Sequence, residues 1–133
     1  MRIAADTNIL VRAAAGHDDP AQTRAARAAM LEVELVCVPV AALCEFVWVL
    51  KRGYRYDDAT IARAIGVLMA SATVRLDRPA VEAGLAMLSA GGDFADGCIA
   101  FEGRRLGGKV FCSFDRQAVR LVQAGGGEAV AVS

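Results

Sequence analysis

The stretch RIAADTNIL, from Arg2 to Leu10, decides the fold because it passes from a short apolar strand directly into a helix. Arg2–Ala5 has the pattern of a buried strand, and Asp6 follows at its carboxyl end. Thr7 and Asn8 then open the next helix. The same alternation recurs along the chain, and further strands are predicted at Leu35–Val38, Thr73–Leu76, Lys109–Ser113 and Glu128–Val132.

Helices between these strands begin at recognisable start signals. The signals are Asp19 with Pro20, Asp57 with Asp58, and Asp77 with Pro79. Alternating strands and helices predict an α/β fold in one domain over residues 1–133, with a central, mostly parallel sheet of four to five strands covered by helices on both faces. Ligands of such sheets bind outside the carboxyl ends of the strands.

Composition restricts the class of protein only in part. Fifteen basic and fifteen acidic residues cancel, so the overall basic footprint of a typical nucleic-acid binder is missing. All basic residues except Lys51 and Lys109 are Arg, which suits bidentate phosphate contacts and leaves a phosphate partner open.

The cysteines and apolar runs predict an intracellular protein. Four cysteines lie in apolar runs without the close spacing of a zinc or redox site, and we expect them to be core residues in a reducing cytoplasm. The apolar run Leu35–Leu50 is too short to span a membrane, and no signal peptide is predicted. We therefore expect a cytoplasmic protein without a membrane partner.

Four aspartates stand where helices begin. Asp6 and Asp115 each follow a strand, while Asp93 and Asp96 open the helix within DFADGCIA. Each of them, taken alone, is explained as a helix cap or as a charge favoured by the helix dipole.

Glu45 does not have that explanation. The residues one turn away from it on its helix are apolar: Ala41, Ala42, Trp48 and Val49. We therefore expect Glu45 to lie in apolar surroundings, where a carboxylate loses its charge or binds a cation. The alternative is an ion pair with Arg52 or another arginine.

Convergence of the carboxylates would require a cation. If Asp6, Glu45, Asp96 and Asp115 meet at one sheet edge, each pair about 5 Å apart repels by about 3 kcal/mol at an effective dielectric of 20. Hard divalent cations, Mg²⁺ or Mn²⁺, neutralise such a cluster through oxygen ligands.

Four segments together resemble the PIN-domain ribonucleases, and more narrowly the VapC toxins of bacterial type II toxin–antitoxin modules. They are DTNIL at 6–10, the lone Glu45, DFADGCIA at 93–100 and SFDRQA at 113–118. The resemblance covers nearly the whole chain and implies a three-layer α/β/α PIN-like domain. Gln117 departs from the pattern, because a further acidic residue is expected there.

The resemblance also implies the site and its chemistry. Asp6, Glu45, Asp96 and Asp115 would be catalytic and bind metal, with Asp93 as a further ligand and Asn8 and Ser113 as supporting polar groups. One or two Mg²⁺ or Mn²⁺ ions would activate water for in-line attack on an RNA phosphodiester, in transfer, ribosomal or messenger RNA. His17, in an expected exposed loop, is not needed as a base.

The implied partners are RNA, a VapB-like antitoxin that blocks the site, and a second copy of the toxin. The predicted RNA contacts are Arg12, Lys51, Arg52 and Arg116, whose alternative role is solvated surface charge. Tyr54 and Tyr56 either stack on bases or anchor a turn between two helices, and the helix with Trp48 serves a partner or the core.

Three other classes remain as alternatives. A non-catalytic PIN-like module would keep the fold as an RNA-binding or protein-binding surface. A Mg²⁺-dependent phosphatase of the haloacid-dehalogenase type requires a second aspartate where Asn8 stands. A receiver-like signalling domain requires an acidic pair after the first strand, and that pair is missing.

Overall fold

The computed structural model describes all 133 residues, which form two compact units, Met1–Asp77 and Arg78–Ser133. The chain has seven helices and five strands. No helix combines the length and the apolar character needed to cross a membrane.

The first unit carries three strands and four helices. In chain order they are β1 (Arg2–Ala4), α1 (Thr7–Ala15), α2 (Pro20–Leu31), β2 (Leu35–Val38), α3 (Val40–Arg52), α4 (Asp58–Ala70) and β3 (Val74–Leu76). The strands form a parallel sheet in the order β1-β2-β3, with Ile3 opposite Val36 and Val36 opposite Val74. Val36, Phe46 and Ile65 are fully buried, so the core is built from the sheet and the apolar sides of α3 and α4.

Helix starts in this unit follow the sequence signals. The carboxylates of Asp6, Asp19 and Asp57 each accept a hydrogen bond from a backbone N–H in the first turn of α1, α2 and α4. These bonds satisfy donors that the helix itself cannot pair. The turn from β1 into α1 thereby places Asp6 at the carboxyl end of a strand.

The second unit carries three helices and a pair of parallel strands. They are α5 (Arg78–Ser89), α6 (Phe94–Arg105), β4 (Val110–Ser113), α7 (Arg116–Ala124) and β5 (Glu128–Ala131). Helices α5 and α6 approach closely at two glycines, since a Cβ added at Gly84 would lie 2.6 Å from the Phe94 ring. A Cβ added at Gly97 would lie 2.9 Å from Gly84 Cα and closer still to the Ala83 carbonyl oxygen.

The predicted α/β class and the parallel strands are confirmed, and each strand begins and ends within one residue of its predicted bounds. The strands are hydrogen-bonded as a three-stranded and a two-stranded sheet, whereas the sequence predicted one sheet of four to five strands. Strands of three or four residues have few ladder hydrogen bonds, so apolar runs locate them without specifying their partners.

The prediction that all four cysteines lie in the core is wrong. Cys98 is buried and Cys37 and Cys44 are half-buried, but Cys112 is exposed. Side chains along β4 alternate between more and less exposed positions, and Cys112 falls on the exposed side.

Candidate functional site

A hydrogen bond in the first unit joins Glu45 to Thr7, the residue that follows Asp6. Asp6 caps α1 by accepting a hydrogen bond of 3.2 Å from the Ile9 N–H. The hydroxyl of Thr7, the next residue along the chain, donates to Glu45 Oε2 over 3.0 Å. Glu45 on α3 is therefore held beside the carboxyl end of β1, where the sequence placed Asp6.

The expected apolar surroundings of Glu45 are wrong. Its side chain is exposed, and so are Ala41 and Trp48 on the same side of α3. The apolar residues that pack α3 into the core lie on its opposite side, among them Phe46 and Leu50. Glu45 is thus a solvent-facing carboxylate with a hydroxyl donor, and the ion pair with Arg52 does not form.

Asp93 and Asp96 occupy the start of α6 in the second unit. Asp93 is the cap and accepts a hydrogen bond of 2.6 Å from the Ala95 N–H, while Asp96 lies in the first turn. The next residue, Gly97, packs closely against α5, so the packing of the two helices restricts the position of Asp96.

Asp96 experiences the charge of both neighbouring carboxylates. The pKa of Asp96 is raised above its ordinary value of 3.8, first by burial and then by the negative charges of Asp93 and Asp115. Its side chain is half-buried. Asp96 is therefore a partly buried carboxylate that lies near two other negative charges.

Asp115 is held in place from both of its sides. Its carboxylate caps α7 by accepting hydrogen bonds from the N–H groups of Gln117 and Ala118, over 3.0 and 3.1 Å. Its own backbone N–H donates to the Ser113 hydroxyl over 3.0 Å. Ser113 at the end of β4 thus holds the turn that carries Asp115 through this hydrogen bond.

The donor groups suit a hard divalent cation, although neither unit holds a ready-made cluster. Carboxylate oxygens are the ligands that Mg²⁺ and Mn²⁺ prefer, and a cation would relieve the repulsion on Asp96. Within each unit, no group of three or more His, Cys, Asp or Glu side chains is arranged to hold a metal ion. The chemistry of the donors therefore fits a divalent metal ion.

Arg12 is engaged by protein groups. Its guanidinium donates to Asp18 Oδ1 over 2.9 Å and to the Tyr54 hydroxyl over 3.4 Å, and the Tyr54 hydroxyl donates to the same carboxylate oxygen. The Tyr54 and Arg12 hydrogen bonds lower the pKa of Asp18. Tyr54 matches the turn-anchoring interpretation, because it ties the segment after α3 to α1 and its following loop.

The other polar residues predicted from sequence lie on the surface. The Nζ of Lys51 lies 3.0 Å from Asp58 Oδ1, and this ion pair partly neutralises the charge of Lys51. Arg52 and Arg116 are exposed and form no ion pair. Asn8 is exposed and lines a surface cleft of about 560 Å³ together with Arg12. His17 is exposed as expected, with its ring edge against Tyr54.

Thr7 is the residue that sequence reasoning missed. Asn8 was named as a supporting group, yet it is Thr7 that contacts a predicted ligand. The available signal was its place directly after Asp6, because a hydroxyl there is at the strand end where ligands bind.

Comparison with known proteins agrees with the fold. Curated proteins gave no significant match to the chain. The PIN domain family model matches residues 3–123, from within β1 of the first unit to within α7 of the second. Because the match covers most of its length, the chain belongs to the PIN domain family.

Proposed function

We propose that this chain is a Mg²⁺- or Mn²⁺-dependent endoribonuclease that acts as the toxin of a type II toxin–antitoxin module. PIN domains are typically metal-dependent nucleases. The observation that carries the proposal is Asp96, a half-buried carboxylate whose pKa is raised by burial and by two neighbouring aspartates. Asp93 and Asp115 cap their own helices, whereas Asp96 lies near both of them and caps no helix.

The proposal assigns Asp6, Glu45, Asp96 and Asp115 to one acidic metal site, with Asp93 as a further ligand. This joint assignment rests on the family resemblance. A divalent cation bound there would activate water for in-line attack on a phosphodiester and stabilise the leaving oxygen.

The chain's own residues have defined tasks in this scheme. Thr7 orients the Glu45 carboxylate through its hydroxyl, and Ser113 fixes the turn before Asp115. The packing of α6 against α5 at Gly97 holds Asp96 at the start of its helix. These contacts restrict the carboxylates before any ligand binds, which reduces the reorganisation that the reaction requires.

The toxin role rests on the resemblance to VapC proteins. It includes a cognate VapB-like antitoxin, a homodimer that forms a hetero-oligomer with it, and action in the cytoplasm on transfer, ribosomal or messenger RNA. Exposed Arg52 and Arg116 support contacts with a phosphate backbone, since neither is neutralised by an ion pair. Arg12 and Lys51 have protein partners that such a contact would have to compete with.

A non-catalytic PIN-like module is the second candidate. It is favoured by one observation, namely that neither unit holds three metal-binding side chains in one cluster. Membership of the PIN family favours both of these functions over the phosphatase and receiver alternatives.

The deciding experiment is metal-dependent cleavage of total RNA. Purified protein, free of any antitoxin, is incubated with total RNA and Mg²⁺ or Mn²⁺, and new ends are mapped. Asp96→Asn is the inactive variant, and Glu82→Gln, an exposed residue on α5, is the matched control. Discrete cuts that require metal and disappear only in Asp96→Asn support the nuclease. Cleavage that persists in Asp96→Asn contradicts the site assignment, and no cleavage by the wild type favours the binding module.

A further inference from the structure

The exposed side of α3 carries an aromatic residue that the core does not use. Trp48 is 63% exposed, although a tryptophan on an apolar helix ordinarily buries most of its ring. It lies three residues after Glu45 and four before Arg52, so the three side chains follow one another along a single helix face. Glu45 is in turn held beside the end of β1 by Thr7.

The two basic residues after Trp48, Lys51 and Arg52, differ in their partners. Lys51 forms an ion pair of 3.0 Å between its Nζ and Asp58 Oδ1, while Arg52 is exposed and without an ion pair. The helix rise places Arg52 about 10 Å along the axis from Glu45, with the indole between them. The face therefore presents, in order, a carboxylate, an aromatic ring and an unpaired guanidinium.

We propose that Trp48 is a base-stacking residue that positions single-stranded RNA on this face, with Arg52 contacting the adjacent phosphate. The inference rests on the proposed nuclease function for its choice of RNA as the ligand. Stacking on an aromatic ring tolerates any base, and an arginine without a carboxylate partner suits the phosphate backbone.

Trp48 provides its own spectroscopic signal, because it is the only tryptophan in the chain. The full chain, freed of divalent cations with EDTA so that RNA stays intact, is titrated with a short oligouridylate while Trp48 fluorescence is recorded. An abasic ribose-phosphate oligomer of equal length is the matched probe, since it keeps the charge and lacks the bases. We expect quenching by oligouridylate and none by the abasic oligomer. Equal behaviour of the two probes overturns the proposal.

Variants of Trp48 and Arg52 distinguish the contributions of base stacking, apolar contact and charge to RNA binding. Trp48→Leu is expected to weaken oligouridylate binding, measured by anisotropy of a labelled oligomer, by about 5- to 100-fold, whereas Trp48→Phe retains most of the affinity. Arg52→Gln is expected to lower the slope of log affinity against log salt by about 0.7, and Trp48→Leu to leave that slope unchanged. Leu106→Ala, at another exposed apolar residue, is the control for non-specific loss.

The remaining outcomes identify which proposal fails. If the Trp48→Leu variant binds RNA as the wild type does, the inference is overturned. It is also overturned if the variant differs from the wild type in oligomeric state on size-exclusion chromatography, because Trp48 would then be a contact between protein copies. If either result is found together with metal-dependent RNA cleavage, the proposed nuclease function stands and only the stacking role of Trp48 is rejected. If quenching depends on the bases but no metal ion supports cleavage, the stacking role of Trp48 is supported and the nuclease function is rejected.

Discussion

The Thr7 hydroxyl donates a hydrogen bond of 3.0 Å to Glu45 Oε2, joining the start of α1 to the middle of α3 across 38 residues of sequence. It ties the one glutamate of the predicted ligand set to the residue that follows Asp6. Thr7 and Glu45 both lie within the first unit.

Replacing Thr7 by Val tests this link. Val keeps the branched shape but cannot donate a hydrogen bond, so Glu45 loses its orienting partner. We therefore expect the Mn²⁺ concentration for half-maximal cleavage to rise by about 10-fold. Thr7→Ser keeps the hydroxyl and is expected to behave as the wild type. Equal metal dependence of Thr7→Val and the wild type would contradict an orienting role.

Helix α6 offers a matched pair of glycines for a test of packing. Gly97→Ala places a Cβ against the Ala83 carbonyl and 2.9 Å from Gly84 Cα, so the helices must separate. We expect a loss of about 1–3 kcal/mol in the free energy of unfolding, measured with urea. Gly103→Ala, where no atom lies within 4 Å, is expected to gain up to about 1 kcal/mol from helix propensity. Similar stability changes in the two variants would show that the close approach is unimportant.

Local features of the fold were predictable because they depend on contiguous residues. The strand, aspartate and helix around Asp6 follow one another in sequence, and so do the caps at Asp57 and Asp115. The pairing of strands was not predictable, since it joins residues far apart in the chain, such as Val36 with Val74.

The candidate site shows the same division. Asp96 was identified from its motif, but its half-burial and its raised pKa depend on the packing around α6. The burial of Glu45 was predicted wrongly because Ala41 and Trp48 are apolar yet exposed. Helical spacing identifies residues that share a face, and it does not tell whether that face meets the core or the solvent.

The cap of α4 predicts a dependence of stability on acid. Hydrogen bonds from Thr60 lower the pKa of Asp57 below its ordinary value of 3.8. The charged cap therefore contributes stability above that ordinary value, and the contribution is lost as pH falls through the lower pKa of the folded state. We expect the wild type to be more stable than Asp57→Asn at neutral pH, with the difference vanishing in strong acid.

Urea unfolding of both proteins over that pH range provides the measurement. Asn is a good capping residue that does not titrate, so it isolates the effect of the charge. A difference in the free energy of unfolding that is the same at every pH would show that the Asp57 carboxylate titrates normally.

Asp96 predicts the opposite dependence on pH. Its folded-state pKa is raised, so its effect on stability is most favourable below the ordinary value of 3.8 and is lost as pH rises through the folded-state pKa. In EDTA at neutral pH, Asp96→Asn should therefore be more stable than the wild type, because it removes a repelled and partly buried charge. The gain should disappear in acid, where the wild-type carboxyl is protonated.

Adding Mg²⁺ should make the wild type more stable than Asp96→Asn at neutral pH. At a Mg²⁺ concentration of 100 times Kd, a site that binds only the folded state gains about 2.7 kcal/mol, and Asp96→Asn should gain less because a ligand is missing. Unfolding in EDTA and in Mg²⁺ checks both parts, with Glu82→Gln expected to follow the wild type in each. If Asp96→Asn were the less stable protein in EDTA at neutral pH, Asp96 would be a structural carboxylate, since a residue kept for metal binding destabilises the metal-free fold.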